Sequence, residues 1–306
     1  MPPENLMIQS QDGYPVPVYH WPHPQAQGVV HILHGMSEHA RCYTDVAEVL
    51  HTAGFAVVAH DHRCHGLACP AEQLGRASNN NSFRALCDDV LPVNQSIRQW
   101  YPQRPLLLLG HSMGSFISQI FAQEHSDKID ALLLEGSNYA APWYLALAGL
   151  IARFECWRQG DDAQSAVLNA LSFAQFNRAF RPCRTDFDWL SRDSHFVDTY
   201  IADPLCGTPV SNLYWLQMLN AMVLMSKRSQ MEKIRKDLPI YLFAGTRDPV
   251  GGFGKGVLAL DRLLKKCGIH SVTTTLYPDA RHDILHETCK EAVFTDMLRW
   301  MSKVAL

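Results

Sequence analysis

Short apolar runs alternate with longer amphipathic stretches over the first 135 residues, and this alternation is the strongest constraint on the fold. The runs with the length and composition of buried strands are 28–33, 55–59, 105–109 and 129–134. The intervening stretches with helical spacing are 44–53, 83–100 and 115–124, and Pro92 is expected to kink the second of these. A strand–helix–strand rhythm predicts a mostly parallel sheet with helices on both faces.

The alternation stops after Glu135 and resumes near residue 239. The later core elements are expected to be strands at 239–244 and 272–276, a helix at 256–267 and a last helix at about 283–304. The interruption, with helical patterns at 140–157 and 212–225, spans roughly 100 residues and is far longer than an ordinary connection. We therefore expect an α/β core formed by residues 1–138 and 238–306, with residues 139–237 inserted as a helical cap.

Composition excludes several classes of protein. Apolar residues make up 47% and charged residues 19% of the chain, which is enough for a large core and excludes a mainly disordered state. The net charge of −3 leaves no basic excess, so nucleic acid is not an expected partner. Residues 1–19 lack the pattern of a signal peptide, and the longest apolar stretch, 140–152, is shorter than the ~20 residues that cross a bilayer.

The nine cysteines are odd in number and include no C-x-x-C pair, which argues against a disulfide framework. A reducing compartment fits this pattern, so the sequence predicts a cytoplasmic protein.

A candidate nucleophile follows the third of these predicted strands. Gly110-His111-Ser112-Met113-Gly114 fits G-x-S-x-G, and it lies between an apolar run and a helical stretch. Strand, tight turn and helix are the context of a nucleophile elbow, in which Ser112 projects from a strained turn. Gly110 and Gly114 avoid Cβ atoms that would collide with neighbouring elements. The alternative is an ordinary glycine-rich turn with a capping serine.

A serine nucleophile needs a histidine base and a carboxylate that orients it. Asp248 follows the strand predicted at 239–244, and His282 follows the strand at 272–276, so both lie at the expected carboxyl edge of the sheet. The other histidines considered fit less well. His270 precedes its strand, and His286 is expected one turn inside the last helix.

The tetrahedral intermediate of acyl transfer needs two backbone N–H donors. The amide of Met113, directly after the nucleophile, is one candidate. The loop after the first predicted strand, His34-Gly35-Met36-Ser37-Glu38-His39, supplies the other through the Met36 amide, because Gly35 allows the chain to approach Ser112 closely.

The motifs together resemble those of the monoacylglycerol lipase and lysophospholipase-like branch of the α/β-hydrolases. The similarity covers both halves of the expected core. The segments that carry it are His34–His39, His60–Gly66, Gly110–Gly114, Gly245–Val250, His282 and, within the insertion, Asp203–Gly207. The resemblance implies a serine hydrolase of carboxylic esters with a mobile helical cap, no metal and no organic cofactor. This chain has Cys64 where the family usually has glycine, and Cys42 separates the usual Arg-Tyr pair.

Three other features have less specific interpretations. His60, Asp61, His62 and His65 suggest a metal site, but no metal-binding spacing accompanies them, and the family loop motif accounts for them. Cys64 is a rival nucleophile whose ordinary role is a packed thiol. Glu135, a carboxylate at the end of the last strand before the insertion, has no predicted role.

The sequence thus predicts a lipophilic monoacyl ester as substrate, since the insertion is rich in Trp, Phe, Leu and Met. Contact with a membrane, through the apolar segment around Trp143 and Leu150, is expected to be transient at most, because that segment lacks a basic face. Two alternatives stay open at this point. One is a peptidase or amidase on the same fold, and the other is a binding protein that has lost catalysis.

Overall fold

The computed structural model describes residues 2–304, and its centre is one eight-stranded sheet. The strands are β1 (Glu4–Gln9), β2 (Pro15–Trp21), β3 (Gly28–Leu33), β4 (Phe55–His60), β5 (Leu106–His111), β6 (Ala131–Glu135), β7 (Ile240–Gly245) and β8 (Val272–Tyr277). Their order across the sheet is β1-β2-β4-β3-β5-β6-β7-β8. The pairs formed by β2 are antiparallel and all later pairs are parallel, as the predicted α/β class requires.

Twelve helices surround this sheet in the described part of the chain. The helices of the two core segments are α1 (Thr44–Thr52), α2 (Phe83–Asp88), α3 (Val90–Trp100), α4 (Met113–His125), α11 (Lys255–Lys266) and α12 (Lys290–Val304). The helices between β6 and β7 are α5 (Pro142–Gln159), α6 (Ala166–Leu171), α7 (Phe173–Asn177), α8 (Ser194–Ala202), α9 (Asn212–Met225) and α10 (Arg228–Met231). None of the helices within residues 2–304 is both long enough and apolar enough to cross a membrane.

Both faces of the central strands are buried, which explains their unbroken apolar sequences. Leu107 and Leu109 pack with α1 and α12 on one face. Leu108, on the other face, packs with α4, α11 and the helices of the insertion. The sheet is therefore packed between two layers of helices. The first residues of the loops that follow its carboxyl edge are held in place by this packing.

Two predicted boundaries are wrong for identifiable physical reasons. The single helix expected at 83–100 is two helices that meet at Asp89, while Pro92 lies in the first turn of α3, where a missing N–H costs no hydrogen bond. The last helix begins at Lys290 rather than near 283. Residues 284–286 form a separate 3₁₀ turn, because buried partners hold the preceding segment in a loop.

Candidate active site

Ser112 occupies the tight turn between β5 and α4 in a conformation that a non-glycine residue rarely adopts. Its φ is 49° and its ψ is −117°, and strain of this kind is typical of functional turns. A Cβ on Gly110 would collide with the backbone of Gly114, and one on Gly114 would collide with the carbonyl of Leu33. The two glycines therefore let β3, β5 and α4 approach closely enough to hold the turn.

The structure brings the three residues of the predicted triad together. His282 Nε2 lies 2.8 Å from Ser112 Oγ, and His282 Nδ1 lies 2.9 Å from Asp248 Oδ1. The backbone N–H of Val250 also donates to Asp248 Oδ1, at 2.8 Å. With Nδ1–H donating to the carboxylate, Nε2 is free to accept the proton of the serine hydroxyl, which is the tautomer that a general base requires.

The loop after β3 approaches Ser112 closely. A Cβ on Gly35 would lie 2.8 Å from Glu38 Oε1, 2.9 Å from His111 Cδ2 and 3.3 Å from the Cβ of Ser112, so a side chain here would force its neighbours to shift. The Gly35 N–H donates to Glu38 Oε1 and is therefore not available to an oxyanion. Met36 and Met113 both line the cavity beside Ser112. This arrangement leaves the Met36 and Met113 amides as the candidate oxyanion donors.

Glu135, which has no role predicted from the sequence, connects β5, the strand before Ser112, to the loop that carries His282. Its side chain is fully buried. Glu135 Oε2 contacts Nδ1 of His111, and the backbone N–H of Ile284 donates to Oε1 at 2.9 Å. Burial lowers the pKa of His111 to about 3, so that ring is neutral. Glu135 thus anchors the chain two residues beyond His282 to the end of β6.

Residues of the insertion also hold the histidine loop. The backbone N–H of His282 donates to the Trp189 carbonyl at 3.4 Å, and that of Asp283 donates to the Leu190 carbonyl at 2.8 Å. The Trp189 ring lies against the His282 ring, with centroids 5.2 Å apart. No sequence pattern marks Trp189, because its partner lies about a third of the chain away and the segment between them has no regular period.

Ser112 opens into a cavity of about 1440 Å³ between the core and the insertion. Its apolar lining comes from both parts of the chain and includes Phe116, Leu145, Ile151, Phe173, Trp215 and Met218. Two of the residues that line it, Trp189 and Asn138, each have one buried polar atom, Trp189 Nε1 and Asn138 Oδ1, with no hydrogen-bond partner among residues 2–304. The cavity therefore offers a large and mainly apolar volume beside the nucleophile.

The structure weakens the rival interpretations. Burial raises the pKa of Cys64 to about 12, and its Sγ donates to the Arg76 carbonyl at 2.9 Å, so the thiol is packed rather than activated. Burial lowers the pKa of His60 to about 3 and that of His65 to about 4. As neutral side chains, the His60 ring packs against His62 and the His65 ring against His34. His286 pairs with Asp283 at 2.9 Å and with Asp45 at 3.2 Å.

A family model described as serine aminopeptidase, S33, matches residues 24–289. Mouse monoglyceride lipase is 28% identical over 301 residues, which cover 93% of this chain and 91% of the mouse protein. The crystal structure of a thermostable carboxyl esterase from Bacillus coagulans, in complex with glycerol, is 25% identical and covers 100% of both chains with a TM-score of 0.90. A lipase in an open form is 28% identical, with 99% of both chains covered and a TM-score of 0.85.

These similarities agree with the motif-based expectation, and they do not favour a peptidase or a non-catalytic protein. The chain belongs to the serine aminopeptidase S33 family, within the monoacylglycerol lipase and lysophospholipase branch of the α/β-hydrolases, and it is an ester hydrolase.

Proposed function

We propose that this protein hydrolyses lipophilic monoacyl esters, monoacylglycerols or lysophospholipids, through an acyl-enzyme on Ser112. The observation that carries the proposal is the contact of Ser112 Oγ with His282 Nε2, at 2.8 Å, on the wall of a large apolar cavity. A long acyl chain can be buried in such a volume. Burial of each of its CH₂ groups contributes about 0.8 kcal/mol, which favours long-chain esters.

In the first half of the reaction, His282 Nε2 takes the Ser112 proton as Oγ attacks the ester carbonyl carbon. The Met36 and Met113 amides donate to the resulting oxyanion, and a donor of this kind contributes about 3–4 kcal/mol. Asp248 stabilises the imidazolium and keeps the ring oriented. Collapse of the intermediate breaks the bond to the leaving alkoxide oxygen, which receives the proton from His282 and departs as the alcohol.

In the second half, His282 takes a proton from water as the water oxygen attacks the acyl carbon. The Oγ–acyl bond then breaks, the proton returns to Ser112, and the free acid leaves. The same two amides serve both steps, because each step develops its negative charge on the same carbonyl oxygen.

The polar part of the substrate is expected near Trp189 and Asn138. Both residues line the cavity and have a buried polar atom without a partner among residues 2–304, and a small shift of either side chain would let a hydroxyl-bearing head group bond to it. The glycerol bound in the Bacillus coagulans esterase supports a glyceryl head group by analogy.

Residues 139–237 form the cap in this proposal. The outer face of α5 carries an apolar stripe of exposed side chains: Trp143, Leu147, Leu150, Phe154 and Trp157. Their spacing of three or four residues puts them on one side of the helix, while Leu145 and Ile151 face the cavity. We place the stripe transiently on a lipid surface, from which substrate enters, and the free cysteines are compatible with a cytoplasmic location.

The test is hydrolysis of p-nitrophenyl esters from acetate to palmitate, followed by a monoacylglycerol, a lysophosphatidylcholine and an acyl amide. Wild type should prefer the longer esters, and Ser112→Ala should lose activity by at least about 10³-fold. Cys64→Ser is the matched control and should keep both activity and labelling by a fluorophosphonate. Full activity of Ser112→Ala, or a folded wild type that neither labels nor turns over any ester, would overturn the proposal.

A further inference from the structure

Four side chains with metal-binding atoms meet where the insertion crosses the core. They are His39 and Cys42, in the segment after β3, and Asp203 and Cys206, after α8. The ligand atoms all lie within 4.8 Å of one another, although the partners are 164 residues apart in the sequence. None of the four lines the catalytic cavity, so the active site does not account for the cluster.

The two halves of the cluster have the same local design. His39-x-x-Cys42 and Asp203-x-x-Cys206 each place two ligands three residues apart. A backbone bond closes each turn: the Cys42 N–H donates to the His39 carbonyl at 3.1 Å, and the Cys206 N–H donates to the Asp203 carbonyl at 3.0 Å. Paired ligands with a spacing of this kind are typical of structural zinc sites.

Two of the distances within the cluster are close to those of a tetrahedral site. Bonds of about 2.3 Å to sulfur and about 2.0 Å to nitrogen or oxygen place two sulfurs about 3.8 Å apart and a nitrogen–oxygen pair about 3.3 Å apart. The Sγ atoms of Cys42 and Cys206 are 3.6 Å apart, and His39 Nε2 is 2.9 Å from Asp203 Oδ2. The other carboxylate oxygen, Asp203 Oδ1, accepts from the Leu205 N–H and so orients the carboxylate.

We propose that His39, Cys42, Asp203 and Cys206 bind one structural Zn²⁺ ion. Two thiolates with an imidazole and a carboxylate suit zinc better than a hard cation, which prefers oxygen ligands. On binding, each thiol releases its proton to solvent. The proton that His39 Nε2 donates to Asp203 Oδ2 also leaves to solvent, so that the nitrogen and the carboxylate oxygen each bind the metal. His39 is buried and the other three ligands are half-buried, so an ion has a route of entry from solvent.

The position of the site gives the ion a structural consequence. Three hydrogen bonds already cross the same seam: Gly207 N–H and Tyr200 Oη–H donate to the Ser37 carbonyl, each at 2.8 Å, and Ser37 Oγ–H donates to the Thr208 carbonyl at 2.7 Å. Ser37 directly follows Met36, the candidate oxyanion donor. Zinc would therefore fix the insertion to the loop that supplies this donor. This departs from the expectation that the protein binds no metal, which rests on the family resemblance and on the absence of a recognised metal-binding spacing. The cluster joins segments 164 residues apart, and no local spacing reveals such a pairing.

The test uses untagged full-length protein, reduced, stripped of metal and then dialysed against Zn²⁺. Wild type should retain about one zinc per chain by elemental analysis, while Cys42→Ser and Cys206→Ser retain none. Cys156→Ser, a half-buried cysteine on α5 outside the cluster, is the matched control and should bind as wild type does. The Tm of wild type and the control should rise by several degrees with zinc, and that of the two cluster variants should not.

Cobalt provides a readout that is independent of stability. Co²⁺ in this ligand set should show sulfur-to-metal charge-transfer absorption and the intense visible bands of a tetrahedral ion, both absent from Cys42→Ser. Zinc retained equally by Cys42→Ser and Cys206→Ser would overturn the proposal by locating the ion elsewhere. Two thiols that become titratable only after reduction, with no metal bound by the reduced protein, would also overturn it and identify the pair as a disulfide.

Discussion

Replacing His62 with leucine is expected to make the fold less sensitive to acid. The His62 ring is fully buried, and neither ring nitrogen has a hydrogen-bond partner among residues 2–304. Burial, reinforced by the neighbouring rings of His34 and His60, lowers the pKa of His62 well below its ordinary value. Leucine has a similar size and removes two unsatisfied nitrogens, so at pH 7.5 the free energy of unfolding should change by less than about 1 kcal/mol.

The effect appears when the pH falls. In the unfolded chain the ring of His62 titrates near its ordinary pKa of about 6.5, whereas the buried ring stays neutral at pH 5.5. The unfolded state then binds more protons, so the stability of the wild type decreases as the pH falls below about 6.5. From pH 7.5 to 5.5 one such ring costs about 1.4 kcal/mol. His62→Leu should gain that amount relative to wild type over this interval.

Urea unfolding of wild type and His62→Leu at pH 7.5 and 5.5 measures the difference in their free energies of unfolding, provided that the m-values agree. Groups that titrate equally in both proteins cancel, including Glu38, whose pKa is raised to about 8 by burial. His270→Gln, at an exposed position, is the control and should track wild type at both pH values. A wild-type-minus-variant difference that is the same at pH 7.5 and 5.5 would mean that the folded His62 ring accepts a proton. The description of these rings as buried and neutral would then be wrong.

Three further substitutions probe the site. Asp248→Asn should lower kcat by about 10³–10⁴-fold with an unchanged fold, because the amide stabilises the wrong tautomer of His282. Steady-state kinetics measures the loss in kcat, and circular dichroism checks the fold. Glu135→Ala should lower the free energy of unfolding by about 3–4 kcal/mol, because it leaves two buried groups, the Ile284 amide and the His111 ring nitrogen, without a partner. It should also lower kcat by 10-fold or more (about 100-fold for a displacement of ~1 Å), whereas Glu135→Gln should restore most of both quantities. Equal kcat in wild type and both folded variants would contradict the positioning role. Gly114→Ala should yield little folded protein, because its methyl group collides with the carbonyl at the end of β3, and normal solubility with a wild-type Tm would contradict this.

The α/β-hydrolase fold could be predicted from the sequence because the apolar runs that indicate strands correspond to the parallel strands of the sheet. Each of Ser112, Asp248 and His282 follows a strand, and parallel strands bring their carboxyl ends to one edge of the sheet. The three residues could therefore be grouped without knowing any contact. The structure adds the distances between them, which depend on loop geometry that no periodicity encodes.

Other features depend on contacts between distant segments and were missed. The break between α2 and α3 at Asp89 coincides with its buried pairing to Arg63, at 2.7 Å, and to Ser10, at 2.5 Å. β1 and β2 contain prolines or alternate only weakly, and they are held by pairing with each other and with β4. Glu135 looks like any strand-terminal carboxylate until its contact with Ile284, 149 residues away, is known.

The contacts of residues 188–207 limit how a cap formed by residues 139–237 can open. Leu190 binds the loop of His282, the Arg281 guanidinium donates to the Ser191 carbonyl at 3.0 Å, and Arg192 pairs with Glu287 at 2.9 Å. A rigid rotation of the whole insertion would break these contacts and displace the catalytic base with them. An opening that preserves the base must leave residues 188–207 on the core and move the parts on either side of them. Those parts are joined, because the Asn212 side chain donates to the Gly160 carbonyl at 3.0 Å. The part that precedes them contains α5, the helix with the exposed apolar stripe. In the proposed function, therefore, the helix that moves is also the helix that meets the lipid surface.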